Sequence, residues 1–240
     1  MPALPAGEEL CQVSVVPGHL WVLTEAGSVF ISQARQWRRL NTSQLGCQAR
    51  LVSLSLSEAG QVWAVGETGQ VYLRLGSLQP PPAEAQPVWV ALDREEEEEE
   101  GGRLVEVLCS SGGCMVWARD SRQGVWARAG LYPDCQPQGT CWLPVTGLAV
   151  SRLALSRTSV WALAEDGRVY RRTGLSSTNW LGDGWQVVPG RGSARDLTVA
   201  QCDTLWRLDQ GGDLRQLEVR QTSGPDRGET AGETDWTIIH

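Results

Sequence analysis

An all-β propeller of about five four-stranded blades is the fold that the sequence predicts, and three observations predict it. A tryptophan-led hairpin pattern recurs at Trp21 (WVLTEAGSVF), Trp63 (WAVGETGQVY), Trp117 (WARDSRQGVW), Trp161 (WALAEDGRVY) and Trp206 (WRLDQGGDLR). These tryptophans stand 42, 54, 44 and 45 residues apart, and a period in the forties built of short strands marks a propeller. Six residues after each tryptophan comes Gly27, Gly69, Gly167 or Gly212, where a sharp turn calls for positive φ; the third repeat has Gln123 there and Gly124 one residue later.

The elements follow in chain order. Residues 1–9 are rich in Pro, Ala and Gly and read as a tail, with the repeats expected over 10–219. The first repeat offers strands at Leu10–Val16, around Trp21 and Phe30, and at Trp37–Leu40. The second runs from Leu51–Leu56 through Trp63 and Tyr72 to Trp89–Leu92, and its Pro80-Pro81-Pro82 reads as loop because proline donates no ladder hydrogen bond. Glu95–Glu100 repel one another, so a solvated, flexible acidic insertion is expected within 79–103. The third repeat has Leu104–Leu108, Trp117, Trp126 and Trp142, and the fourth has Val150–Leu155, Trp161, Tyr170 and Trp185. The fifth has Asp196–Ala200, Trp206 and Leu214, followed by a polar segment, 220–240, that ends in Trp236–Ile239.

Alternation along the second hairpin arm predicts two columns on opposite blade faces. One is Val29, Val71, Val125, Val169 and Leu214; the other is Phe30, Tyr72, Trp126, Tyr170 and Arg215. The recurring hairpin tryptophans could stack on sugars or cations. Packing of neighbouring blades is the stronger reading, since each sheet must bury its faces against the next.

Composition excludes several classes. A net charge of −7, with 21 Lys and Arg scattered along the chain, argues against nucleic acid as a partner. No apolar run reaches the ~20 residues of a membrane span. The N-terminus, MPALPAGEELCQV, has neither the basic start nor the apolar core of a secretory signal, so the chain reads as soluble and cytoplasmic. Seven cysteines share no repeat position and read as reduced thiols, although Cys135 and Cys141 flank a turn and could pair in an oxidising compartment.

Catalytic chemistry has little to build from. The two histidines, His19 and His240, sit in a turn and at the last position. There is no CxxC pair, phosphate-binding loop or GxSxG elbow, and Asp166 and Asp209 read as turn residues bonded to their own backbone. The expectation is a protein that is not an enzyme and needs no cofactor or metal.

The fourth repeat, Val160–Gly174 (VWALAEDGRVYRRTG) with Trp185–Gly190 (WQVVPG), resembles the tectonin β-propeller repeat. The first, third and fifth repeats depart from it, with Ser32, Ala127 and Gln216 near the place of Arg171 and Arg172. Chromosome-condensation-regulator repeats share the glycine-turn hairpin but are usually longer and richer in glycine and histidine. The tectonin resemblance implies a protein-interaction scaffold, an intracellular autophagy and secretory-pathway adaptor at autophagosome or endoplasmic-reticulum exit membranes, meeting other trafficking proteins through its propeller faces. Other tectonin proteins are secreted or surface lectins for glycans or lipopolysaccharide, and an aromatic outside the packed columns, such as Trp180, would serve such a lectin.

Some family members end in a short motif that binds ubiquitin-like autophagy proteins, and the resemblance implies that role for Trp236 and Ile239, with Glu229, Glu233 and Asp235 as the upstream acids. An extended Trp-x-x-Ile segment can add a strand to a sheet edge while its large side chains fill apolar pockets. The same pattern recurs at Trp37–Leu40, Trp89–Leu92, Trp142–Val145 and Trp185–Val188, so Trp236–Ile239 also reads as the last strand of the fifth blade.

Overall fold

The computed structural model describes residues 7–33, 36–46, 49–76, 78, 88–92, 102–190, 192–200, 203–217 and 236–239. Their strands form five antiparallel sheets of four, each a simple meander. Blade 1 comprises β1 (Leu10–Val16), β2 (His19–Thr24), β3 (Val29–Gln33) and β4 (Gln36–Arg39); blade 2 comprises β5 (Leu51–Leu56), β6 (Val62–Gly66), β7 (Val71–Arg74) and β8 (Trp89–Leu92). Blade 3 has β9 (Leu104–Cys109), β10 (Val116–Asp120), β11 (Val125–Arg128) and β12 (Trp142–Val145). Blade 4 has β13 (Arg152–Leu155), β14 (Val160–Leu163), β15 (Val169–Thr173) and β16 (Gly184–Val187). Blade 5 has β17 (Ala194–Val199), β18 (Leu205–Asp209), β19 (Leu214–Leu217) and β20 (Trp236–Ile239). This is a β-propeller of five four-stranded blades, in two compact units, Met1–Thr146 with blades 1–3 and Gly147–His240 with blades 4 and 5. No helix among the described residues is long and apolar enough to cross a membrane.

The shared hairpin register follows from a turn repeated five times. The amide three residues after the tryptophan donates to the carbonyl four residues further on, as from Gly66 to Gln70, and the +6 amide donates back, as from Gly69 to Gly66. That geometry needs positive φ at +6, found at Gly27 (79°), Gly69 (91°), Gly167 (76°) and Gly212 (91°). At Gly69 a Cβ would also lie 2.9 Å from Arg103 Cβ and 3.1 Å from Leu104 N, so both conformation and space require glycine. The third hairpin keeps the same turn with Gln123 in the left-handed region at φ 67°. Its displaced glycine has another cause: a Cβ on Gly124 would fall 2.5 Å from Asp120 Oδ2. That buried carboxylate accepts from the amides of Arg122 and Gly124, both at 2.8 Å, and from Trp126 Nε1 at 2.8 Å.

The cores lie between successive blades within each unit. One joins Trp21, Leu23, Val29 and Ile31 of blade 1 to Leu54, Leu56, Ala64 and Tyr72 of blade 2. A second joins Trp63, Val65, Val71 and Leu73 of blade 2 to Val107, Cys109, Ala118 and Trp126 of blade 3. In the second unit, Trp161, Leu163 and Val169 of blade 4 meet Leu197, Leu205 and Leu217 of blade 5. Trp21, Trp63 and Trp161, with Val29, Val71 and Val169, thus face the following blade, and Tyr72 and Trp126 of the +9 column face the preceding one. Trp21, Trp63 and Trp117 are wholly buried and Trp161 is 1% exposed, which makes them packing residues; Trp206 is only half-buried.

Trp89–Leu92, inside the 79–103 stretch, is the regular strand β8, whereas Glu95–Glu100 lie outside the described residues. Among the seven cysteines, Cys11, Cys109, Cys114, Cys135 and Cys141 carry free thiols, and burial pushes the Cys109 thiol far up from its ordinary pKa. Cys47 and Cys202 lie outside the described residues.

Candidate functional site

In blades 3 and 4 a cation–aromatic pair helps to fasten the fourth strand. In blades 2, 3 and 4 the last tryptophan stands directly across from an arginine of the third strand: Arg74 with Trp89, Arg128 with Trp142, Arg172 with Trp185. Arg128 Cζ lies 5.3 Å from the centre of the Trp142 ring, and Arg172 Cζ lies 5.2 Å from that of Trp185. Arg74 instead stacks on Trp21 of blade 1 at 5.2 Å. All three guanidiniums are buried, and burial pulls those of Arg74 and Arg172 below the usual arginine range, with Asp183 opposing it at Arg172. Backbone carbonyls satisfy them in part: Arg128 Nε donates to Gln138 O at 2.9 Å and Arg172 Nε to Leu181 O at 2.8 Å. The third repeat therefore keeps the arginine through Arg128, one residue beyond Ala127.

Blade 5 fills this slot from a different strand. Leu217 of β19 stands across from Trp236, so β19 places no arginine there. The cation is Arg207 of β18, whose Cζ lies 4.4 Å from the Trp236 ring centre. Arg207 is 3% exposed, and its Nε lies 2.9 Å from Asp209 Oδ1; Arg215 Nε lies 2.5 Å from Asp209 Oδ2. Burial draws the Arg207 guanidinium downward in pKa, and the Asp209 charge opposes that shift. Asp209 is thus a buried anion between two arginines rather than a turn residue bonded only to its own backbone. Asp166 does fit the turn reading, accepting from the Arg168 amide at 2.9 Å.

Trp236 is also held by Pro189-Gly190 at the end of blade 4. Its Nε1 donates to Pro189 O at 2.9 Å, and a Cβ on Gly190 would come within 2.6 Å of that nitrogen. Gly147 lies in the same place beside Trp185, but a Cβ there would sit an ordinary 3.7 Å from Trp185 Cδ1, so it is its φ of 97° that favours glycine. Both glycines come five residues after a fourth-strand tryptophan, which accounts for the closing glycine of WQVVPG in packing terms.

Of the residues read from sequence as partner-binding, Trp236 and Ile239 open and close β20, with Trp236 across from Leu217 and Ile239 across from Leu214. Glu229, Glu233 and Asp235 lie outside the described residues. Among the described residues β20 pairs only with β19 and is the last strand of its sheet, so its far backbone edge faces no further described strand of that sheet. Arg207 was not legible as part of this site, because its link to Trp236 skips a strand. Elsewhere, His19 lines a shallow pocket with Val16, Pro17, Glu58, Gly60 and Leu78. Among the described residues, no cluster of three or more His, Cys, Asp or Glu could hold a metal ion.

Comparison with known proteins agrees with this architecture. The family model for the tectonin domain matches residues 4–210. Human tectonin beta-propeller repeat-containing protein 2 is 34% identical over 175 residues, which are 70% of this chain and 12% of that protein, so the chain spans about an eighth of this relative's length. Among solved structures, human WBSCR16 superposes with a TM-score of 0.60 at 14% identity, covering 90% of this chain and 64% of that one. YCF48 bound to D1 peptide gives 0.59 at 13% identity, covering 89% and 66%. Kap60 bound to yeast RCC1 gives 0.58 at 12%, covering 96% and 63%. At such identities these three share the fold alone. The recurring tryptophan hairpin, the arginine-backed fourth strand and the match over most of the chain place it in the tectonin family of β-propeller proteins.

Proposed function

We propose that this chain is a non-enzymatic protein-interaction module, a cytoplasmic adaptor of the autophagy and secretory pathways whose Trp236–Ile239 segment docks onto ubiquitin-like autophagy proteins. The observation that carries the reading is that this segment is already an extended strand at a sheet edge. An extended segment loses less backbone freedom on adding to another sheet than a coil does. The likeness to human tectonin beta-propeller repeat-containing protein 2 supports the same assignment. Acids at Glu229, Glu233 and Asp235 would meet basic residues of such a partner.

The Trp236 ring rests on Arg207, so docking must exchange that contact for the partner's pocket. A free peptide has no such contact to give up. Residues 228–240 as a peptide should therefore bind the ubiquitin-like partner with micromolar affinity. The double substitution Trp236→Ala/Ile239→Ala should abolish binding by the whole chain. Absence of peptide binding, or a double variant that binds like wild type, would refute the docking role. Saturable, sugar-competed retention on a glycan or lipopolysaccharide resin, lost in Trp180→Ala, would favour a lectin instead.

A further inference from the structure

We infer that Thr42 is a phosphorylation site, the acceptor for a protein kinase that selects arginine three residues before the hydroxyl it modifies. Kinases of this class hold the guanidinium against their own carboxylates, so the sequence requirement is Arg-x-x-Ser or Arg-x-x-Thr. Six residues of the chain meet it: Thr42, Ser53, Ser77, Thr198, Ser223 and Thr230. Thr42 also has a second arginine one place further upstream, in the run Arg38-Arg39-Leu40-Asn41-Thr42. Ser77, Ser223 and Thr230 lie outside the described residues, which leaves three to be compared.

Two of the three are closed to a kinase by the fold. An acceptor must lie extended in the kinase cleft together with its neighbours, and so must leave any ladder it belongs to. Ser53 is 2% exposed in β5, and its Oγ accepts from the Val107 amide of the next blade at 3.1 Å. Thr198 is exposed but stands inside β17, paired across from Trp206, with Leu197 and Val199 paired on either side of it. Freeing either acceptor would cost a strand of a blade.

Thr42 belongs to no ladder. It lies in the connection between β4 and β5, inside the first unit, where blades 1 and 2 already pack on each other. Among the described residues the backbone bonds of 41–49 stay within that segment: Ser43 N donates to Asn41 Oδ1 at 2.9 Å, Leu45 N to Thr42 O at 3.0 Å and Gly46 N to Ser43 O at 3.3 Å. Asn41, Ser43 and Gln44 are exposed, and the Thr42 hydroxyl makes no capping bond. Buried Leu40 on one side and Leu45, packed on the core of blades 1 and 2, on the other keep the ends in place. Opening 41–44 therefore breaks a turn and leaves every sheet intact. In the reaction Thr42 Oγ1 attacks the γ-phosphorus of ATP, the bond to the bridging oxygen breaks and ADP leaves, and the hydroxyl proton passes to the catalytic carboxylate of the kinase. The product carries a charge of about −1.5 to −2 at neutral pH, close in sequence to Arg38 and Arg39, so the phosphate changes the surface of the first unit without unfolding it.

Phosphopeptide mapping of the full chain, after incubation with ATP and a calmodulin-dependent protein kinase that selects arginine at this spacing, tests the assignment. Thr42 should take up phosphate at least about ten times faster than Ser53 or Thr198. Arg39 Nη2 donates to Ser28 Oγ at 2.9 Å, so Arg39→Gln removes the guanidinium while keeping a donor for that hydroxyl. This variant should keep its fold, read as an unchanged thermal midpoint, and lose about tenfold in the rate of Thr42 phosphorylation. Phosphorylated wild type should hold its own midpoint within about 2 °C, since the turn lies outside the ladders. The chain purified from cultured human cells should carry phosphate at the same residue. An unmodified Thr42 in either setting, phosphate on Ser43, Ser53 or Thr198 at a comparable rate, or a folded Arg39→Gln variant modified as fast as wild type would each overturn the inference.

Discussion

Blades 2 and 5 are built from the same repeat, yet they hold their parts by different means. In blade 2 every residue of β6 and β7 is buried, Trp63 meets Trp142 edge-on at 6.4 Å, and the guanidinium of Arg74 lies within the packed layers. In blade 5, β18 alternates between buried and half-buried residues, Leu214 is exposed, and the last strand rests on an ionic cluster of Arg207, Asp209 and Arg215. A repeat position therefore specifies a place in the sheet, while the neighbours decide how much energy that place carries.

The widest gap should appear at the tryptophan column. Trp63→Ala removes a wholly buried side chain and should lower stability by about 3–5 kcal/mol, while Trp206→Ala, at a half-buried site, should cost about 1 kcal/mol. Urea unfolding of both variants measures the difference; equal losses would erase the distinction between the blades.

A finer comparison uses Gly69 and Gly212, which share φ 91° but not surroundings. A Cβ at Gly69 meets Arg103 and Leu104, whereas at Gly212 it meets nothing within 4 Å. Gly212→Ala should then cost only the left-handed backbone term, about 1 kcal/mol, and Gly69→Ala about 1–2 kcal/mol more from crowding. Thermal midpoints of the pair separate strain from sterics.

The ionic fastening of β20 predicts a local effect. Arg207→Met removes the cation beneath Trp236 but leaves Arg215 beside Asp209, so amide exchange at residues 236–239 should quicken by about tenfold while blade 2 is unaffected. The same variant should bind the ubiquitin-like partner more tightly than wild type. Exchange that stays at the wild-type rate would mean that backbone pairing to β19 alone holds the strand.

The smallest expected effect is a gain. Gln123 occupies the left-handed position that glycine holds in the other four hairpins, so Gln123→Gly should stabilise blade 3 by up to about 1 kcal/mol. A decrease would show that the Gln123 side chain contributes more than its backbone strain costs.

The strand order, the hairpin register, the +6 turn and the buried tryptophans were legible in the sequence because each depends on residues close along the chain. A six-residue step from Trp63 to Gly69 sets a turn, and alternation after it sends Val71 and Tyr72 to opposite faces whatever the rest of the chain does. Two features were decided only by tertiary structure. Arg207 reaches Trp236 across an intervening strand, and Ser53 and Ser55 complete the edge of a strand 54 residues away. In each, a buried polar group took the nearest available partner in space, and sequence spacing carries no record of that choice because folding brings distant strands to hydrogen-bonding distance.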